Sequence, residues 1–161
     1  MHSRPLSATV ALAATLLLAC GGATAIAGPF SGMAGDWSGG GKLTSTSGSS
    51  ERLRCRASNA VGSDGNTMDI SIRCASDSYK IDLTGYVRNN NGTLSGQWSE
   101  PNYNSAGTLS GRVSGNRINA RAIGNTLSAG LSMSGTGKHM SVTIRPQGTS
   151  VKAVSLSFRK R

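Results

Sequence analysis

Hydrophobic and polar residues take turns along most of this chain, and the period is two. In Met68-Asp69-Ile70-Ser71-Ile72-Arg73-Cys74 the side chains of Met68, Ile70, Ile72 and Cys74 share one side, while Asp69, Ser71 and Arg73 take the other. That is the pattern of a strand with one dry face. The next segment repeats it, with Tyr79, Ile81, Leu83, Gly85 and Val87 inward against Lys80, Asp82, Thr84, Tyr86 and Arg88 outward, and Ala75 to Ser78 as the turn between. Upstream, Leu53, Cys55 and Ala57 alternate with Arg52, Arg54 and Arg56. No stretch keeps apolar residues at helical spacing for three turns, and the abundance of Gly, Ser, Thr and Asn argues against helix over most of the length.

The alternation is interrupted by Gly or Asn often enough to define ten candidate strands. Asp36 to Ser45 supplies the first. Arg117 to Ile123, Leu127 to Met133, His139 to Arg145 and Val151 to Arg159 supply the last four. Between them Gly92-Thr93-Leu94-Ser95-Gly96 recurs as Gly107-Thr108-Leu109-Ser110-Gly111, a short internal repeat in which Leu94, Gly96 and Trp98 share a face, as do Leu109, Gly111 and Val113. Glycine on a core face leaves room for a large cross-strand neighbour. The links are short and rich in turn residues, as in Ser114-Gly115-Asn116 and Gly124-Asn125, while Asn59 to Asn66 reads as a longer polar link. Consecutive short links allow an up-and-down meander, and curling a long meander shut removes its two exposed edges. The expected fold is therefore all-β, an antiparallel meander closed into a small barrel of about eight to ten strands.

The first residues do not fit that pattern. His2 and Arg4 precede an apolar run from Leu6 to Leu18, followed by small residues, the order of an export signal. The run is short for a permanent bilayer span. Ala23-Thr24-Ala25 and Ala25-Ile26-Ala27 offer cleavage before Ile26 or Gly28, whereas Leu17-Leu18-Ala19-Cys20-Gly21 resembles a bacterial lipobox in which Cys20 would carry the lipid. Both exits remain open, and residues 1–27 are assigned to the signal, soluble or lipoprotein in type, and 28–161 to one barrel domain. Either way Cys55 and Cys74 are left to each other. An even pair in an exported chain reads as a disulfide, and both fall on the predicted core face of antiparallel strands. The expected Cys55–Cys74 bond closes a loop of about 20 residues and contributes about 3 kcal/mol by chain entropy.

Seventeen Lys and Arg against seven Asp and Glu give a net charge of +10, of which the leader holds only Arg4. The excess is dispersed, which predicts attraction to anionic surfaces at low salt. Its densest part is the stripe Arg52, Arg54 and Arg56, a solvated face whose functional option is contact with an anionic envelope surface. No aromatic interleaves with these arginines, so nucleic acid is not the expected partner. Candidate chemistry is thin. His139 is the one histidine beyond the leader, and the two remaining cysteines are engaged, leaving too few soft ligands for structural zinc. Asp69 and Asp82 face outward, Asp64 and Asp77 lie in turns, Asp36 and Glu51 near strand starts, and Glu100 ends a strand; no G-x-S-x-G elbow accompanies His139. No catalytic residue, metal ligand or cofactor is expected, and the chain is read as a non-enzyme.

Gly35-Asp36-Trp37-Ser38-Gly39 before the first strand resembles the G-x-W opening of lipocalins and the Gly/Trp opening of avidin-like barrels. That resemblance implies that Trp37 packs to close one barrel end. Leu53-Arg54-Cys55-Arg56, Ile72-Arg73-Cys74-Ala75 and Leu94-Ser95-Gly96-Gln97-Trp98 together resemble small exported proteobacterial proteins without an assigned activity, which implies a periplasmic or outer-envelope location and transfers no site residue. The expected function is a noncatalytic envelope module. A hollow barrel would take a small apolar or lipid-like ligand, and a filled one would display its polar loops as a protein-interaction or inhibitor module.

Overall fold

The computed structural model describes residues 27–161. Residues 1–26, which hold nearly all of the segment read as an export signal together with Cys20, lie outside the described residues. A short 3-10 turn, Ser31–Met33, leads into ten strands: β1 Gly35–Ser45, β2 Ser50–Val61, β3 Thr67–Ala75, β4 Lys80–Asn90, β5 Thr93–Glu100, β6 Ser105–Ser114, β7 Arg117–Gly124, β8 Ser128–Gly135, β9 His139–Gln147 and β10 Val151–Lys160. Each pairs antiparallel with the next, and β1 pairs with β10, so the sheet is a closed barrel. Closure runs from Trp37 opposite Lys160 to Ser45 opposite Val151, with an irregularity between Thr44 and Ser45. Among the described residues no strand is left with an unpaired edge, as the meander reading requires. The lipocalin and avidin likeness stops at the opening motif, since those barrels have eight strands.

Alternation decides which side chains enter. On β2, Leu53, Cys55 and Ala57 are buried while Arg52, Arg54 and Arg56 are exposed. Cys55 lies directly opposite Cys74, the Cα atoms are 4.1 Å apart, and the two are joined by a disulfide inside the barrel. That separation belongs to the closer of the two kinds of antiparallel pair. Asn59 corrects the sequence reading: it is not in a link but on β2, which continues to Val61, and it is buried. Its Nδ2 donates to the Met33 carbonyl at 3.0 Å, which satisfies the donor side of the amide, while its Oδ1 is buried without a partner among the described residues.

The internal repeat has a cross-strand meaning. On the β5–β6 pair Leu94 faces Gly111, Gly96 faces Leu109 and Trp98 faces Gly107, so each large inward side chain meets a glycine. At Gly107 a Cβ would run into the backbone of Ile123 on β7. The close approach of β6 and β7 there depends on the missing side chain. The β4–β5 link shows the complementary use of turn chemistry, with Asn91 at φ 49° and Gly92 at φ 86°, the two positive angles of a tight hairpin turn.

The large buried side chains gather at one end. Phe30, Met33, Trp37, Met68, Met140 and Phe158 are almost fully enclosed there, beneath the segment that precedes β1. Trp37 Nε1 donates to the Met33 carbonyl at 3.0 Å. The Lys160 ammonium sits 5.7 Å from the centroid of the same indole, within cation–π range. Hydrogen bonds from Gly28 N to the Asp64 carbonyl and from Phe30 N to the Gly65 carbonyl tie the leading segment to the β2–β3 link. This end of the barrel is plugged.

Candidate functional site

Towards the other end, where β1 finishes, the barrel is hollow. A cavity of about 330 Å³ runs up its interior, within the range of small-molecule sites. Leu94, Ile118 and Met133 floor it, above the plug; Ile72, Leu83 and Ala122 form its middle; Tyr79, Tyr103, Leu127 and Ser150 border its top. Tyr103 lines the cavity and is also 45% exposed, so the cavity meets solvent on that side. Ile70, Ile81, Leu83, Leu131 and Ile144 are only half-buried although they face inward. They pack against the core on one side and border the cavity on the other, which explains the intermediate exposure.

The void follows from side-chain size. The wall strands place Gly85, Ala120, Ala122 and Ala129 inward at positions bordering the cavity, where larger residues would reach across the barrel. The plugged end instead receives Trp, Phe and Met. A ten-strand barrel is wider than one whose interior is just filled by side chains, which needs about eight strands.

The polar side chains of the lining include Glu100, Tyr79 and Tyr103 at the mouth and the Trp98 indole, whose Nε1 is buried without a hydrogen-bond partner among the described residues. Glu100 ends β5 on the inward face, in register with Leu94, Gly96 and Trp98, and is 5% exposed. Its Oε2 accepts from Asp82 N at 2.6 Å and its Oε1 from Asn102 N at 2.9 Å. The carboxylate thereby continues the β4–β5 ladder one step beyond its last backbone pair, Thr84 with Ser99, and caps the short turn Pro101–Tyr103. Burial pushes the Tyr103 phenol above its ordinary value, and the Glu100 charge and Tyr79 add to the effect. Tyr103 is therefore an O–H donor at the mouth throughout the neutral range.

The outer surface has the opposite character. Arg52, Arg54 and Arg56 are exposed on β2, with Lys42 opposite Arg52 on β1 and Arg73 opposite Arg56 on β3. Only Arg73 is paired, to Asp82 at 3.2 Å, and both partners are solvated. Such an exposed pair contributes little stability. The arginine stripe is thus widened by two neighbouring strands, a clustering that register creates and the sequence alone leaves open.

Trp37 is fully buried and lies outside the cavity lining. His139 is exposed on β9. Among the described residues no three His, Cys, Asp or Glu side chains are grouped so as to hold a metal ion, and no helix is long and apolar enough to cross a membrane. Sequence reasoning missed Glu100 as a wall residue. Extending the Leu94, Gly96, Trp98 alternation by two positions would have found it.

Fold and site together define a ten-stranded closed antiparallel barrel, plugged at one end and hollow towards the other. No protein-family model matches the chain, and no curated protein matches it. Solved structures do share the fold. Rv2717c from M. tuberculosis superposes with a TM-score of 0.59 at 14% identity, covering 81% of this chain and 93% of that one. The S-type phycobiliprotein lyase CPES from Guillardia theta superposes with a TM-score of 0.55 at 13% identity, covering 82% of this chain and 89% of that one. At such identities the likeness is one of fold.

Proposed function

We propose that this protein is a noncatalytic binding module of the cell envelope whose barrel cavity holds a small, predominantly apolar ligand. The observation that carries the reading is the cavity itself: about 330 Å³, walled by aliphatic and aromatic side chains and reached from one end of a barrel that is plugged at the other. That volume is roughly eleven times the share of one liquid water, about 30 Å³. An apolar void of this kind gains little from water, which needs polar partners to stay, and gains from an apolar guest by removing surface from solvent.

Export places the module in the periplasm or outer envelope, with cleavage before Ile26 or Gly28, or lipidation at Cys20. The basic face of Lys42, Arg52, Arg54, Arg56 and Arg73 supports a companion role, contact with an anionic envelope surface from which an apolar guest is exchanged. Each basic side chain near such a surface contributes about 1 kcal/mol.

Native mass spectrometry of protein purified from its producing cells, with titration of N-phenyl-1-naphthylamine, tests the cavity reading. Saturable dye fluorescence, lost when Ala122→Trp fills the middle of the cavity in a protein that still shows its β-type circular dichroism, is the expected result. No bound molecule and no dye binding by the folded wild type would refute it. Intact mass on the same sample separates the two export routes.

A further inference from the structure

One carboxyl side chain stands in the cavity wall. Among its lining residues Glu100 is the only Asp, Glu, Lys or Arg, and no salt bridge among the described residues reaches it. The carboxylate is 5% exposed and held by two backbone N–H groups, from Asp82 and Asn102. An ionised carboxyl has about four acceptor sites, so two backbone donors leave it able to accept more. Tyr79 and Tyr103 stand at the same mouth. The protein as a whole is strongly basic, yet the one acidic or basic side chain lining its cavity is a carboxyl, and Coulomb interactions are stronger in a partly desolvated site than in water.

We infer that the cavity discriminates by head-group charge: it takes apolar molecules whose polar end is an amine or another hydrogen-bond donor lodged beside Glu100, and it rejects fatty acids and other anionic amphiphiles. The inference rests on the cavity being the ligand site, as proposed above. The tail of such a molecule runs down past Leu83 towards Leu94 and Met133, and its head stays at the mouth. A cationic head pairs with the carboxylate, a hydroxyl or amide N–H donates to it, and an anionic head meets a like charge that no Lys or Arg of the wall offsets, the neutral donors of Tyr79, Tyr103 and Trp98 compensating only in part. The basic exterior pulls the other way at long range, but at 0.15 M salt its reach is about 8 Å.

Three single-chain compounds of matched length, decylamine, decanol and decanoate, separate the possibilities by displacement of N-phenyl-1-naphthylamine at pH 7 and 0.15 M salt. Wild type is expected to bind decylamine at least tenfold more tightly than decanoate, with decanol between them. Glu100→Gln should compress the amine-to-acid ratio to less than threefold, and Glu100→Asp should keep the order. Decanoate binding as tightly as decylamine in wild type, or an unchanged ratio in Glu100→Gln, overturns the head-group inference while leaving the cavity reading in place. Failure of all three compounds and of the dye itself overturns the cavity reading, and this inference with it. Should Glu100→Gln fail to fold, the wild-type order decides.

Discussion

Trp37→Phe separates a residue that closes the barrel from one that touches the guest. Trp37 is fully buried, its Nε1 donates to the Met33 carbonyl at 3.0 Å, and it does not line the cavity. Phenylalanine keeps an aromatic ring but loses that hydrogen bond, a net cost of about 1 kcal/mol. The carbonyl is not orphaned, because Asn59 Nδ2 also donates to it. The smaller ring leaves a void in a packed plug and weakens the stacking of Lys160, which adds about 1 to 2 kcal/mol. The sum of about 2 to 3 kcal/mol lowers Tm by about 10 °C in a domain of this size. Trp37→Ala removes about 3 to 5 kcal/mol by loss of packing alone, a large part of the 5 to 15 kcal/mol typical of a whole domain. Thermal melts with and without N-phenyl-1-naphthylamine provide the assay. A guest stabilises by an amount set by its concentration and Kd, so an unchanged Kd makes the dye-induced stabilisation of Trp37→Phe match that of wild type. A more than threefold weaker Kd with an unaltered ligand-free Tm would refute the end-closure role and make Trp37 a contact residue.

Two further outcomes follow from the geometry. Replacing both Cys55 and Cys74 by Ala reopens a loop whose ends are 19 residues apart, costing about 3 kcal/mol by chain entropy; calorimetry should show a drop in Tm of about 10 °C, and a loss below about 3 °C contradicts the estimate. Glu51 accepts from the Ser76 hydroxyl at 2.6 Å and from Ser78 N at 3.3 Å, and these bonds hold its carboxyl below the ordinary glutamate value. A depressed folded pKa stabilises above the unfolded value of about 4.3 and is lost as pH falls through the folded one. Urea midpoints of wild type should therefore fall more steeply with acidification below about pH 4.3 than those of Glu51→Gln, and parallel curves contradict it.

Period-two alternation was sufficient to place the ten strands, because each inward residue of a strand must reach a dry interior and each outward one water. It put Ile70, Ile72, Ile81 and Leu83 inside, set Cys55 against Cys74 and made closure the way to dispose of two edges. The repeat around Gly92 and Gly107 likewise pointed to glycine facing large residues. Turn chemistry marked most links, but Asn59 misled, since an amide looks like loop until the Met33 carbonyl that receives its proton is known.

What the chain by itself determined is therefore the direction of each side chain relative to its own strand. Only the tertiary structure decided how far the opposite wall stands, because barrel width depends on strand number and closure together. That distance leaves alanine and glycine facing a void near β7 and β8 while Trp37 and Phe158 fill the plug. Closure also gathers Lys42 and Arg73 beside the arginines of β2, and it turns Glu100 from the last residue of a strand into the lone carboxyl of an apolar wall. Contacts between residues remote in sequence set all three, and a local pattern carries no measure of them.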